Sequence, residues 1–211
     1  MRTPSLAARR SLPAIAVLCS GQGTNLQAII NAVRARCLRA RLALALSDRA
    51  DAFALVRAKR AGISTVCIDP KTFSSRERFD RHLIEMLDQH DVQLVCLAGF
   101  MRILSPACVR RFPNQILNIH PALLPAFPGA HAVRDALAWG AKVTGVTVHL
   151  VDERVDHGPI VLQESVAIRP GETQTTLLAR VHRVEHRLYP QAIALMLSGK
   201  VRVVGRRTVF R

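Results

Sequence analysis

Residues 115–125 read Gln115-Ile116-Leu117-Asn118-Ile119-His120-Pro121-Ala122-Leu123-Leu124-Pro125. The first half is apolar and β-branched, the composition of a buried strand. Asn118 and His120 interrupt it two residues apart. In an extended chain such a pair leaves on the same side. Pro121 and Pro125 then end the strand and stiffen the loop behind it. A buried strand that ends by presenting an amide and an imidazole together points to chemistry at its carboxyl end. A lone histidine there is usually no more than a hydrogen-bonded one, so the weight rests on what else the chain brings to it.

Working outward, the same apolar signature recurs upstream. Residues 14–20 and 92–98 read as strands buried on both faces, as parallel sheets require, and 42–47 and 64–68 as two further strands. Helical patterns lie between them at 26–33, at 51–61 with Gly62 as C-cap, and at 75–90. Ser74 is placed to cap the last of these, with Glu77 at the capping-box position. A short helix from Pro106 to Arg111 leads into the 115–120 strand. This alternation predicts right-handed βαβ units and a Rossmann-like, doubly wound, mostly parallel sheet. Beyond Pro125 the rhythm changes. Residues 132–139 read as a helix, and 143–151 as an alternating, antiparallel strand carrying Thr and His. Another strand follows at 160–168, then a long amphipathic helix at 173–197 in which Tyr189-Pro190 marks a kink or a new start. Residues 201–204 add an edge strand. With no repeat, low-complexity tract or linker, the expectation is a single α/β domain with an antiparallel C-terminal part.

Composition narrows the function classes. The chain has 211 residues, 49% of them hydrophobic, enough for one substantial core and without an apolar run of membrane-spanning length. Residues 1–12 carry Arg2, Arg9 and Arg10 and no acid, and they lack the apolar stretch of a secretory signal. They read as a basic arm, expected to be flexible, before a domain spanning 13–211. The net charge of +15 raises nucleic acid as a partner. The charges are dispersed, however, and with one Trp and one Tyr there is no interleaving of aromatic and basic residues. Nucleic acid is therefore not expected; anionic small substrates are. The cysteines at 19, 37, 67, 96 and 108 are odd in number and irregular in spacing, which argues against disulfides and structural zinc and for a reducing cytoplasm. Cys19, Cys67 and Cys96 lie in apolar strand-like runs, where Cys acts as a small hydrophobe.

Four further stretches carry chemistry. Ser20-Gly21-Gln22-Gly23-Thr24-Asn25 joins the first strand to the first helix. Its glycines let backbone approach a ligand, and exposed N–H groups at a helix start favour an anion. Leu26 stands where a dinucleotide fingerprint needs its third glycine, so a phosphate monoester suits the loop better. Asp156, just before Gly158-Pro159, gains a role only if folding brings it to His120. Such a pair would raise the histidine pKa and hold the ring. His157 is a lesser candidate for the same place. Gly99 to Leu104, at the end of the fourth strand, offers Phe100, Met101, Ile103 and Leu104 as an apolar wall around Arg102, suited to a flat heteroaromatic ligand. On the last helix, Glu185, a turn after His182, reads as surface decoration or as a site for an amine.

These pieces, in this order, resemble the folate-dependent, single-domain phosphoribosylglycinamide formyltransferases, from Ile15 to about Gly199. The strings that carry the likeness are Ser20-Gly-Gln-Gly-Thr-Asn-Leu-Gln-Ala-Ile30, Ala98-Gly-Phe-Met-Arg-Ile-Leu-Ser105, Asn118-Ile-His-Pro-Ala-Leu-Leu-Pro125, Gly145-Val-Thr-Val-His149, Asp156-His-Gly-Pro159 and Glu185-His186. The resemblance implies an enzyme of de novo purine synthesis that passes a formyl group from 10-formyltetrahydrofolate to the amine of glycinamide ribonucleotide. By the same likeness Gly23, Thr24 and Asn25 hold the ribonucleotide phosphate, and Glu185 with His182 reaches its glycinamide end. Arg76, Met101, Arg102, Ile103, Leu104 and Asn118 match the folate pocket, and Asn118, His120 and Asp156 the catalytic trio. A phosphate-binding half at about 13–112 and a catalytic and folate half at about 113–204 follow. Ala122 and Val133 depart from the family's frequent residues and are assigned no role.

The chemistry fits those residues. The amine attacks the formyl carbon, charge builds on the formyl oxygen, and Asn118 with protonated His120 can donate to it. Asp156 would keep His120 protonated near neutral pH and help move the amine proton. No metal or covalent nucleophile is required, and the chain is expected to act as a monomer or homodimer. The rivals are a formyltetrahydrofolate deformylase, which should carry a domain in front, and a methionyl-tRNA formyltransferase, which should carry one behind. A Rossmann-like nucleotide- or RNA-binding module without turnover is the non-enzymatic rival.

Overall fold

The computed structural model describes residues 12–210. The elements run β1 (Ala14–Leu18), α1 (Thr24–Arg34), β2 (Arg41–Ser47), α2 (Phe53–Arg60), β3 (Thr65–Cys67), α3 (Arg76–Gln89), β4 (Leu94–Leu97), α4 (Pro106–Arg111) and β5 (Ile116–His120). After β5 come α5 (Ala132–Trp139), β6 (Val143–Leu150), β7 (Ile160–Ala167), α6 (Gln174–Leu197), β8 (Val201–Val204) and β9 (Arg207–Phe210). All strands join one sheet in the order β3-β2-β1-β4-β5-β6-β7-β9-β8. Pairing is parallel from β3 through β5 and antiparallel across β5–β6 and β6–β7.

The central strands are buried on both faces, which is why their sequences are apolar throughout. Ile15 and Val17 of β1 enter one core with α1, α2, α5 and α6, while Ala16 and Leu18 enter the other with α3 and α4. The strand order reverses at β1, whose neighbours are β2 and β4. At such a switch point the loops leaving the two strands diverge and open a crevice. Here the loops after β1 and β4 are stitched together: Ser20 N–H donates to Gly99 O at 3.0 Å, and Met101 N–H to Ser20 Oγ at 3.0 Å.

The helix α6 crosses beneath this end of the sheet. Tyr189 is fully buried, and its hydroxyl donates to Leu97 O at 2.8 Å and Leu117 O at 3.1 Å, a bond shared between the neighbouring strands β4 and β5. Of the kink or new start expected at Tyr189-Pro190, the new start is absent: α6 runs on through Pro190. Leu188, Tyr189, Ala192 and Ile193, buried on either side of it, hold the helix in place despite the lost N–H. The α3 cap is Ser75 rather than Ser74, and Glu77 falls one residue short of the capping-box position. Cys19 and Cys96 are buried as expected, but Cys67 is exposed, since β3 is the edge strand of the sheet. The expected edge strand at 201–204 forms, but as one arm of a hairpin whose other arm, β9, has no apolar signature to announce it. The basic arm at 1–12 lies, apart from Leu12, outside the described residues. Among the described residues no helix is long and apolar enough to cross a membrane.

Replacing Tyr189 by Phe keeps the packing and deletes the donor shared by β4 and β5. A loss of about 1–2 kcal/mol follows, read by thermal melting as a Tm lowered by about 3–6 °C.

Candidate active site

Two clusters of the anticipated residues form. The first is built on the start of α1. Gly23 is the N-cap, at φ 69°, a left-handed conformation. A Cβ there would stand 2.6 Å from Ala54 Cβ and 2.7 Å from Ala54 Cα, so glycine is required twice over. Arg57 of α2 ties the loop down by donating to Gln22 O at 2.8 Å. Thr24 and Asn25 open the helix. Asn25 is buried, and its Nδ2 donates to Glu185 Oε2 of α6 at 2.9 Å. Among the described residues Asn25 Oδ1 has no partner. His182 Nε2 lies 4.0 Å from the same Glu185 oxygen. Glu185 is itself buried, contrary to the surface reading, and burial raises its carboxyl pKa despite the pull of Asn25 and His182.

The second cluster is built on the β5–β6 pair. The antiparallel register sets Asn118 opposite His149 and His120 opposite Thr147. Asn118 Nδ2 lies 3.1 Å from His149 Nε2 and 3.3 Å from Asp156 Oδ1. His149 Nδ1 is 2.9 Å from Leu150 O, which demands a hydrogen on Nδ1, and its Nε2 stands 3.6 Å from Asp156 Oδ1. His120 is buried, with Nε2 2.8 Å from Phe127 O and Nδ1 3.4 Å from Asp156 Oδ2. Asp156 also accepts from Gly129 N–H at 2.7 Å. Folding therefore does bring Asp156 to His120, although the two are separated by strand, helix and loop. His157 takes no part in this contact; it pairs with Asp152 at 2.6 Å.

The expected protonation is corrected. Burial is the larger influence on His120 and pushes its pKa below the ordinary value, against the upward pull of Asp156 and the Phe127 carbonyl. Burial would raise Asp156, but the imidazoles and the Gly129 N–H outweigh it and hold that carboxyl below the usual range. In the absence of ligand His120 is thus biased to its neutral form, although both its nitrogens face acceptors that favour the charged one.

His149 and Thr147 were missed as site residues. The available signal was their own spacing, two apart on an alternating strand, like Asn118 and His120. Thr147 Oγ1 donates to Ala122 O at 2.6 Å and accepts from Leu124 N–H at 3.1 Å, so it fixes the proline-bounded loop.

The segment after β4 lies beside the crevice, but Phe100 of the expected apolar wall is buried in the core. Met101 and Ile103 are exposed, at 68% and 59%, while Leu104 is buried. The Arg102 guanidinium lies 4.6 Å from the centre of the Phe79 ring, and Arg76 donates to Leu104 O. A cavity of about 800 Å³ at the strand ends is walled by Ser20, Gly21, Asp48, Gly99, Met101 and Arg102. A second, of about 980 Å³ between α1 and α6, includes Thr24 and His186. Neither is lined by Asn118, His120 or Asp156.

The profile of the formyl transferase family matches residues 14–193. The phosphoribosylglycinamide formyltransferase of Escherichia coli (strain K12) is 43% identical over 189 residues, which cover 90% of this chain and 89% of that one. The chain belongs to the formyl transferase family. Another relative in the family, the trifunctional purine biosynthetic protein adenosine-3 of Gallus gallus, is 48% identical over 90% of the chain, which spans only 19% of that protein's length. Among solved formyl transferase structures, glycinamide ribonucleotide transformylase 1 from Symbiobacterium toebii superposes with a TM-score of 0.94 at 47% identity, covering 98% of each chain.

Glu185 separates binding from stability. A carboxyl whose folded pKa is raised adds stability only below its unfolded value, about pH 4, and that contribution is lost as pH rises through the folded value. Glu185→Gln keeps an acceptor for Asn25 and removes the titration. Melting curves should show the variant matching wild type near pH 4 and exceeding it by about 2–4 °C at pH 7.

Proposed function

We propose that this formyl transferase moves the formyl group of 10-formyltetrahydrofolate onto the amine of glycinamide ribonucleotide, a step of purine biosynthesis. The observation that carries the reading is the buried meeting of Asn118 and His120, from β5, with Asp156, from the loop between β6 and β7. Gly23, Thr24 and Asn25 would take the phosphate at the start of α1, whose free N–H groups favour an anion. Glu185 and His182, beside Asn25, would receive the polar end of the same substrate. Arg76, Met101, Arg102, Ile103 and Leu104, with Asn118, would bind the folate: exposed apolar side chains for its rings and guanidinium groups for its carboxylates. The division into a phosphate half at about 13–112 and a catalytic and folate half at about 113–204 belongs to this reading.

The amine attacks the formyl carbon, and negative charge gathers on the formyl oxygen. The Asn118 amide nitrogen already lies 3.1 Å from His149 Nε2 and donates to Asp156 Oδ1 at 3.3 Å. The longer contact is the weaker one, so the oxyanion draws that hydrogen from Asp156. His120 begins biased toward neutrality, and an adjacent anion raises its pKa. It therefore takes a proton from solvent as the oxyanion forms, with the formyl oxygen replacing Phe127 O as the partner of Nε2. It returns that proton when the carbonyl re-forms and the bond to the folate nitrogen breaks. Asp156 supports that charge and takes up the amine proton, which passes to the departing folate nitrogen. No metal or covalent nucleophile enters, and the free cysteines suit a reducing cytoplasm. Monomer and homodimer are equally compatible with this site, and no nucleic acid is needed.

Formyl transfer should be measured with wild type, His120→Ala and Asp156→Asn. Wild type turns over, and each variant loses about 10²–10³-fold in kcat. Formate release without transfer would replace this reading with a deformylase; folate binding with no transfer to this amine would remove the substrate assignment.

A further inference from the structure

The hairpin β8–β9 lies beyond the residues that the family profile matches, which end at 193. It nevertheless reaches the loop that carries Asp156. A single parallel bridge pairs Arg207 of β9 with Ile160 at the start of β7. Thr208 Oγ1 donates to Ile160 O at 2.7 Å. Arg206, in the turn of the hairpin, then extends over the preceding loop. Its Nη2 donates to His157 O at 2.6 Å, and its Nη1 lies 2.8 Å from His157 Nε2.

The Arg206 Nη1 faces both ring nitrogens of His157, at 2.8 Å from Nε2 and 3.1 Å from Nδ1. His157 Nδ1 is also 2.6 Å from Asp152 Oδ2. Asp152 Oδ1 in turn accepts from Arg154 N–H at 3.0 Å. Arg206, His157 and Asp152 thus form a chain of contacts along the turn in which Asp156 sits.

That turn needs an external hold. Asp156 has φ 50°, a left-handed conformation that a residue with a side chain keeps only where its surroundings enforce it. Behind it, Gly158 backs onto Leu150 O so closely that a Cβ would stand 1.9 Å away. Below the turn, the carboxylate must meet Gly129, Asn118 and His120 at once.

We propose that Arg206 is a positioning residue for formyl transfer: it clamps the Asp152–His157 turn and so aims the Asp156 carboxylate at His120 and Asn118. The proposal rests on the catalytic reading of Asp156 given above. Arg206 is exposed, and an exposed ion contact contributes little to stability. Aim is different, because misplacing a catalytic group by about 1 Å can lower a rate by 10²-fold. The clamp should therefore be visible in turnover and nearly invisible in melting.

The test compares wild type, Arg206→Ala, His157→Ala, the double variant and Arg202→Ala, an exposed arginine on β8 that touches no part of the loop contacts. Arg206→Ala should lower kcat by about tenfold or more, leave KM for glycinamide ribonucleotide within about twofold, and leave Tm within about 2 °C. Its kcat–pH profile should also move. His120 is faced by Asp156 from the loop and by His149 from β6. Loosening Asp156 weakens the upward pull on His120 and carries the limb that reports His120 to lower pH. The double variant should be no slower than Arg206→Ala, since both act along one path. An unchanged kcat in Arg206→Ala, or an equal loss in Arg202→Ala, overturns the proposal. So does a loss of kcat with an unmoved pH profile. Absence of transfer by wild type would instead sink the functional reading, and this proposal with it.

Discussion

A carboxylate with only 10% of its side-chain surface open to water must find donors within the protein, and the arrangement around Asp156 is shaped by that demand. Gly129 N–H and the Asn118 amide supply two, and the His120 ring stands ready to supply a third when protonated. Each comes from a different segment. Asn118 and His120 require β5 to end where it does. Gly129 requires the loop behind Pro125 to fold back, a course fixed in part by Thr147. Asp156 itself requires a left-handed turn in the loop before β7.

The antiparallel step at β5–β6 is what makes this possible. A parallel neighbour needs a crossover and would carry the chain away from the carboxyl end of β5. The antiparallel β6 instead runs alongside it and places His149 and Thr147 directly across from Asn118 and His120. One strand presents the groups proposed for the chemistry, and the other holds them. The Asp156 carboxylate sets which way the Asn118 amide points, because only its NH₂ end can donate to it.

Several features of the site weigh against the stability of the fold. Glu185 is a buried acid whose charged form is disfavoured where it sits. Asn25 leaves one buried oxygen unpartnered beside it. Asp156 and Phe127 hold positive φ, which side chains rarely adopt. Groups kept at such cost are typical of sites awaiting a ligand that completes them. The core of β1, α1 and α6, packed around Ile15, Leu26 and Tyr189, offsets them.

Much of this was legible in the sequence. The continuous apolar strands could only belong to a sheet covered on both faces, since no other environment removes both sides of Val17 or Cys96 from water. The Gly21–Asn25 loop and the Asn118/His120 pair declared themselves through local spacing, which a strand or a helix start converts directly into geometry. Where the sequence left a choice open or misled, the deciding contacts were remote. Spacing left Glu185 as either surface decoration or an amine site, and only the fold presses it against Asn25, 160 positions away in the chain. The expected protonation of His120 weighed Asp156 but not the burial that opposes it, because burial is a property of the assembled core. The strand β9 carries no apolar period, since its alternating faces do not separate a core from solvent at the sheet edge. Sequence alone determined which strands are central and which polar groups stand at their ends, because periodicity is local. Only the tertiary structure decided which of those groups meet and in which state of charge, because register, desolvation and the partners of a buried proton come from residues that the chain keeps far apart.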